Sequence, residues 1–278
     1  MAVKVVTDST SDLPVELARK WDITVVPATV QFGQESYRDG VDLKADEFFD
    51  KLKASTELPT TSQPSVNEFL DAYRGLMEKG DEVVSIHISE RVSGTLDSAR
   101  QARELIRNEG RIEIIDSRHW SAAMALIVLE AAWAAQAGYD LGGVVAVTRD
   151  AIARAGLLAI ADTLEYAARG GRIGKAQYLL ASVLQIKPVL EIKDGELYPV
   201  ERTRTRRRAL QRLVELLETR GPVEKAAIGH AASPEDAALL AQRLKPLVFH
   251  HDILTCTIGP VIGTHTGPGA IGVGFLRQ

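Results

Sequence analysis

Short apolar runs that end in a small hydroxyl-rich cluster and pass into an amphipathic run constrain this chain more than any other feature. Val3-Lys4-Val5-Val6 leads into Thr7-Asp8-Ser9-Thr10-Ser11-Asp12, and Pro14 then opens a run to Trp21. Glu82 to Ile88 leads into Ser89-Glu90-Arg91-Val92-Ser93-Gly94-Thr95, with a helical run from Thr95 to Asn108. Apolar runs of this length read as strands buried on both faces, and proline suits the first turn of a helix. Thr24 to Val30 and Arg111 to Ile115 add strands, Ala45 to Lys53 a short helix, and His119 to Ala137 a long Ala-rich helix. Ser65-Val66-Asn67-Glu68 is a capping box opening a helix to about Lys79. Strand–helix alternation predicts an α/β fold whose residues 1–155 form an N-terminal domain, Rossmann-like, with a mainly parallel sheet and helices on both faces.

From about Gly156 the pattern changes. Leu157 to Thr163 reads as a strand, and Leu164 to Ile173 carries the pair Gly170-Gly171. Asp194-Gly195 inside Val189 to Val200 signals a hairpin. Arg206 to Thr219 and Pro234 to Leu244 read as helices. Ala226 to His230, Val248 to Thr257 and Ala270 to Phe275 read as strands. Residues 156–278 are expected to form a C-terminal α+β domain with antiparallel strands. A length of 278 residues suits two such domains.

Composition removes several function classes. A net charge of −4 does not favour nucleic acid as a partner. The single cysteine, Cys256, leaves no internal disulfide and reads as a buried structural thiol. The longest apolar stretch, Ala122 to Ala135, is interrupted by Glu130 and is too short to span a bilayer. No signal peptide precedes Val3, so a cytoplasmic location is expected.

Gly259-Pro260-Val261-Ile262-Gly263-Thr264-His265-Thr266-Gly267-Pro268-Gly269-Ala270 reads as a ligand loop. It offers close backbone approach together with short uncharged hydrogen-bonding groups. Pro59-Thr60-Thr61-Ser62-Gln63-Pro64-Ser65 and the Ser89–Thr95 cluster precede helix starts, which favour anions. Ser, Thr and Asp are also ordinary helix caps. Capping is the better account of Ser65 and Asp12, and loop organisation of Asp8. For Thr61 and Ser93, capping and ligand binding stand level.

A nucleophilic triad drawn from Ser93, His265 and Asp8, as in a serine hydrolase or acyltransferase, lacks the Gly-x-Ser-x-Gly elbow. Phosphate-loop and dinucleotide fingerprints are absent, so no cofactor is expected. His250 and His251 are neighbours on an expected strand and face apart; His87, His119 and His230 read as isolated and structural, and no metal is expected. The run Arg202-Thr203-Arg204-Thr205-Arg206-Arg207-Arg208 carries no aromatic residues for stacking bases. It reads by default as a solvated strand-to-helix junction, and alternatively as a docking patch for an acidic partner or a phosphate group.

Taken together, Thr7-Asp8-Ser9-Thr10-Ser11-Asp12-Leu13, the Pro59–Ser65 cluster, Ser93-Gly94-Thr95, Asp116-Ser117, Gly170-Gly171-Arg172-Ile173 and the Gly259–Gly269 segment resemble the DegV family. The resemblance runs over essentially the whole chain. It implies two domains that bury one long-chain fatty acid between them, as the lipid-binding subunit of a bacterial fatty acid kinase and not as an independent enzyme. A separate ATP-dependent, dihydroxyacetone-kinase-like subunit would phosphorylate the carboxylate, and an acyltransferase of phospholipid synthesis would take the acyl phosphate. By the same resemblance Thr61 and Ser93, with Thr60, Gly94 and Thr95, hold the carboxylate, and His265 stands close to it. Arg172, Arg202 and Arg204 would face the product or the kinase subunit. The chain departs from the family pattern at Glu90 after Ser89, at Ala123-Met124-Ala125 in place of Gly-x-Gly, and at Ala167 in place of leucine. The added methyls on that helix are expected to narrow or bend the acyl tunnel.

Overall fold

A computed structural model describes residues 2–107, 110–181, 186–249 and 251–278. The chain begins with β1 (Val3–Asp8), α1 (Val15–Lys20), β2 (Ile23–Val26), β3 (Thr29–Phe32), β4 (Glu35–Arg38), α2 (Ala45–Ala54) and β5 (Thr60–Ser62). It continues with α3 (Val66–Met77), β6 (Glu82–His87), α4 (Thr95–Leu105), β7 (Ile112–Asp116), α5 (Ser121–Gln136) and α6 (Leu141–Arg154). Then come β8 (Ala155–Ile160), α7 (Glu165–Arg169), β9 (Lys187–Lys193), β10 (Glu196–Thr203), α8 (Arg206–Glu218) and β11 (Val223–His230). The last elements are α9 (Pro234–Leu244), β12 (Ile253–Thr257), α10 (Pro260–Thr266) and β13 (Ile271–Arg277).

Three sheets result. A parallel four-stranded sheet has the order β2-β1-β6-β7. A six-stranded sheet, β10-β9-β8-β13-β11-β12, is antiparallel except for its β11–β12 pair. A small antiparallel sheet, β4-β3-β5, stands apart. The fold is thus α/β with a parallel sheet in the first part and a mixed, largely antiparallel sheet in the second.

Strand alternation distributes the apolar side chains to two faces of the parallel sheet. Val6 and Val83 pack with Phe69, Tyr73, Ala99 and Ile106 of α3, α4 and the turn after it. Val5, Val84 and Ile86 face Met124, Ile127 and Val128 of α5 and Val144 of α6. The opposite side of α5 meets β11 and β13, so this helix lies between two sheets and is buried all round except near its C-terminal end, where Trp133 and Gln136 are exposed. Its approach to β13 requires Gly274, where a Cβ would fall 2.4 Å from Ala123 N. Leu210, Leu213, Leu240 and Leu244 of α8 and α9 cover the far face of the six-stranded sheet.

Several sequence expectations are corrected. The single strand expected over Thr24–Val30 divides into β2 and β3, which join different sheets on either side of Pro27, a residue with no N–H for a ladder. The strand expected from Val248 starts at Ile253; His251 has a left-handed φ of 56°, and His250 lies outside the described residues. The helix from Thr95 ends at Leu105, and Asn108 is likewise outside them. No element was expected between Gly138 and Ala155, where α6 forms. Its start is capped by Asp140, which accepts the Gly143 N–H at 2.8 Å despite the adjoining glycines. The segment read as a glycine-rich loop contains α10.

Candidate ligand-binding site

A largely apolar cavity lies between the α5 start and the inner ends of the six-stranded sheet, with β5 and α10 at its rim. Ile88, Trp120 and Ala122 contribute to its wall from the first part of the chain, and Leu157, Ile160, Leu190 and Gly272 from the second. Polar atoms gather toward one region of the wall. Thr61, Gln63, Ser93, Thr95, Arg172 and His265 line it there.

Local structure explains which side chains arrive. On β5 only Thr61 is half-buried; Ser62 also lines the cavity, whereas Thr60 is exposed and does not. Thr61 Oγ1 and His265 Nε2 lie 2.8 Å apart. Ser93 Oγ and Thr95 Oγ1 share a hydrogen bond of 2.8 Å at the start of α4. Gly94 does not line the cavity; it lets Gln63 close in, since a Cβ there would sit 2.9 Å from Gln63 Nε2.

His265 belongs to the last turn of α10. Pro260 occupies the first turn of that helix, and Gly267 ends it with a φ of 70°. A proline just inside the start and a glycine just past the end are helix punctuation, so the segment carries its own explanation once read that way. Gly263 seats α10 on α2: a Cβ would lie 2.7 Å from Phe48 and 3.0 Å from Phe49. A helix C-terminus favours a charged imidazole by only about 0.3–1 kcal/mol. Burial is the larger effect here and, with the nearby Arg172 cation, brings the His265 pKa down to about 4. His265 is therefore neutral near pH 7.

Arg172 lies at the mouth, its Nη1 donating to Gly170 O at 2.7 Å and its Nε to Val92 O at 3.2 Å. It thereby joins the loop after α7 to the loop before α4. Arg202 and Arg204 are exposed and do not line the cavity; the Arg202 guanidinium stands 5.7 Å from the Tyr178 ring centroid. Arg206, expected in a solvated junction, is instead bound to Asp236, Asp162 and Gly269 O. A carboxylate of α9, one of the β8–α7 loop and a carbonyl of the α10–β13 loop meet there, which leaves its side chain half-buried.

The triad Ser93–His265–Asp8 is not assembled. Asp8 Oδ2 faces His87 Nδ1 at 3.0 Å, and Asp8 Oδ1 accepts the Thr10 N–H at 3.0 Å. His87 is not isolated: its Nε2 lies 2.7 Å from Ser85 Oγ, which lies 2.8 Å from Tyr73 Oη, a buried chain through the parallel sheet. Ser65 caps α3 as expected, its Oγ accepting the Glu68 N–H at 3.3 Å. Asp12 caps no helix that follows it; its carboxylate reaches Ser121 and Gly259, far away in sequence. Cys256 is buried, and burial pushes its thiol pKa up. Among the described residues no group of His, Cys, Asp and Glu side chains fits a metal ion. No described helix is long and apolar enough to cross a membrane.

The methyls expected to narrow the cavity do not line it. Ala122 lines it, whereas Ala123 faces Gly274 and Met124 is in the core under the parallel sheet. Ala167 also lines the cavity. Thr10, Gln63, Trp120, Ser121, Thr163 and Thr266 belong to the wall without having been singled out by sequence. Of these, Thr10, Gln63 and Thr266 stood inside the polar clusters that the sequence pointed to, while Trp120, Ser121 and Thr163 did not.

The family model described as "Uncharacterised protein, DegV family" matches residues 2–278. The chain belongs to the DegV family. A DegV domain-containing protein of Clostridium perfringens is 35% identical over the full length of both chains. A DegV family protein from Thermus thermophilus, described for its fatty acid binding, superposes with a TM-score of 0.93 at 33% identity, covering 100% of each chain. A stearic acid-binding protein from Eubacterium ventriosum superposes with a TM-score of 0.90 at 29% identity, over 99% of this chain and 98% of that one. The DegV fold is thus shared over its whole length with proteins that bind fatty acids.

Proposed function

We propose that this DegV protein binds one long-chain fatty acid in the cavity, between halves comprising residues 1–155 and 156–278. Its carboxylate would lie at the polar end, held by Thr61, Ser93, Thr95 and the neutral His265, and its tail along Trp120, Ala122, Leu157 and Gly272. The observation that carries this reading is an apolar cavity whose polar end offers hydroxyls and a neutral imidazole, in a fold shared with fatty-acid-binding relatives. Each buried methylene contributes about 0.8 kcal/mol, so a tail of roughly fourteen supplies on the order of 11 kcal/mol. Association removes several kcal/mol of that. The tail therefore supplies affinity and the head-group contacts supply orientation.

The chain would act as a carrier that presents the carboxylate to a separate ATP-dependent kinase subunit for acyl-phosphate formation, and the acyl phosphate would pass to an acyltransferase of phospholipid synthesis. Uncharged donors suit that role, because a carboxylate oxygen not clamped by a cation remains a better phosphoryl acceptor. Arg172 is at the mouth for the phosphorylated product, and the exposed Arg202 and Arg204 suit contact with the kinase subunit. Denaturing extraction of the purified protein followed by lipid mass spectrometry tests binding: a stoichiometric C14–C18 acid is expected, and a protein empty of lipid that also fails to take up added palmitate overturns it. Trapping acyl phosphate with hydroxylamine, in the presence of ATP and the kinase subunit, tests presentation.

A further inference from the structure

The helix that carries His265 is held at its start by two buried carboxyl groups from the other half of the chain, whose burial raises the pKa of Asp12 to about 8 and of Asp39 to about 7. The first amide protons of a helix have no partner inside it. At α10, Asp12 Oδ1 accepts the Gly259 N–H at 2.9 Å, and the Asp39 carboxyl lies near enough to the Val261 N–H for that dipole to favour its charged form. Both acids are buried, with 8% and 4% of their surface exposed. Gly259 passes directly between them: a Cβ there would lie 2.9 Å from Asp39 Oδ1 and 3.2 Å from Asp12 Oδ1.

Each carboxyl group has a second anchor. Asp12 Oδ2 accepts from Ser121 Oγ at 2.5 Å, at the first residue of α5. Asp39 Oδ2 accepts from Ser9 Oγ at 2.9 Å, and Ser9 Oγ in turn accepts the Ala28 N–H at 3.0 Å. Asp12 and Ser121 both adopt left-handed backbone, with φ of 51° and 50°, a conformation retained where surrounding contacts over-determine it. Burying two acids at one seven-residue helix is unfavourable unless their bonds do something that apolar packing does not. Apolar contacts are non-directional and leave a short helix free to slide or turn. One acceptor on the Gly259 amide, with a second acid packed against the same glycine, restricts both its height and its rotation.

We propose that Asp12 and Asp39 are positioning residues for the head-group end of the cavity: they set α10 so that His265 meets Thr61 and faces the ligand carboxylate. The inference rests on the fatty acid reading above and deepens it. Through Ser121, Asp12 also ties the head-group helix to the part of α5 that lines the cavity. His265 lies four residues beyond Val261, about 6 Å along the helix axis at 1.5 Å per residue. A small tilt at the start therefore displaces its imidazole from a contact that tolerates only a few tenths of an ångström.

The test separates head-group recognition from tail binding in the delipidated full-length protein. Affinities for palmitate and for hexadecanol, which share a tail, are measured with the native sequence, Asp12→Ala, Asp39→Ala and Asp12→Asn. The native protein is expected to prefer the acid by about tenfold or more, the usual size of a lost charged hydrogen bond. Asp12→Ala and Asp39→Ala are expected to remove most of that preference while hexadecanol affinity stays within about threefold. Asp12→Asn keeps an oxygen for the Gly259 N–H and should retain the preference. If the alanine variants do not fold, Asp12→Ser and Asp39→Ser, polar but too short to reach the amides, carry the same expectation. Folded variants that keep the full acid preference, or lose acid and alcohol affinity in equal proportion, overturn the inference. A native protein that binds both ligands equally overturns the head-group clamp itself and the inference with it; one that binds neither overturns the fatty acid reading.

Discussion

Two helices border the cavity, and they are held in opposite ways. α5 spans Ser121–Gln136 and lies between two sheets, with twelve of its sixteen residues buried. α10 spans only Pro260–Thr266; Val261 and Ile262 bury it in the core, and point contacts set its orientation: two buried carboxyl groups at its start, Gly263 against two phenylalanines, and Thr61 on His265. The first helix is a wall that many side chains maintain together. The second is a carrier of one functional residue, placed by a few directional bonds. Core substitutions should therefore weaken the fold when made around α5, and mainly disturb the site when made around α10.

The strongest challenge to the wall is Gly274→Val. Its Cβ would meet the backbone of α5 at 2.4 Å, with no flexible side chain to yield. Overpacking of this kind costs about 3 kcal/mol or more, and urea unfolding should show at least that loss. Next is Met124→Ala, which empties a fully buried site under the same helix and should cost about 2–5 kcal/mol by the same measurement. Stability within about 0.5 kcal/mol of the native value in either variant would contradict the assignment of α5 as the shared wall.

On the α10 side, Gly170→Ala should lower palmitate affinity about tenfold with a stability change of only about 1 kcal/mol. A Cβ at Gly170 would stand 2.2 Å from His265 Nδ1, so the imidazole must leave Thr61. Isothermal titration alongside urea unfolding checks this, and a fold lost without any change in affinity would break the contrast between the helices. The smallest expected effect is in pH. With a pKa of about 4 in the folded chain against an ordinary value of 6.5, His265 contributes stability that is full above pH 6.5 and is lost as pH falls toward 4. The stability difference between the native protein and His265→Gln should shrink over that interval. NMR titration of the imidazole should show it neutral at pH 6; a charged ring there would show that burial does not control this residue.

Strong local signals were legible in the sequence and appear in the structure. The capping box at Ser65 opens α3, Asp194-Gly195 turns β9 into β10 with both residues at positive φ, and Pro234–Leu244 is a helix end to end. Where two local signals competed, the reading was less secure. Glycine density suggested a loop over Gly259–Gly269, although the same stretch carries proline and glycine at the positions that start and end α10. Asp12 looked like a helix cap because capping is what an acid beside a turn ordinarily does. Its partners at Ser121 and Gly259 are 109 and 247 residues away, beyond any local pattern.

By itself the sequence determined most of the strands and helices in order, though not β4, β5, α6, α7 or α10, the change from parallel to mostly antiparallel pairing near residue 155, and the family to which the chain belongs. Those properties follow from periodicity, caps and turn residues, which act over a few positions, and from motifs in fixed order. Tertiary structure alone decided that Thr61 meets His265 across 204 residues, that Ala122 and not Ala123 forms the cavity wall, and that Asp8 serves His87 instead of a nucleophile. Which face of a helix meets a cavity, and which buried acid finds which amide, depend on how the sheets stack. That stacking is settled by the burial of α5 between them.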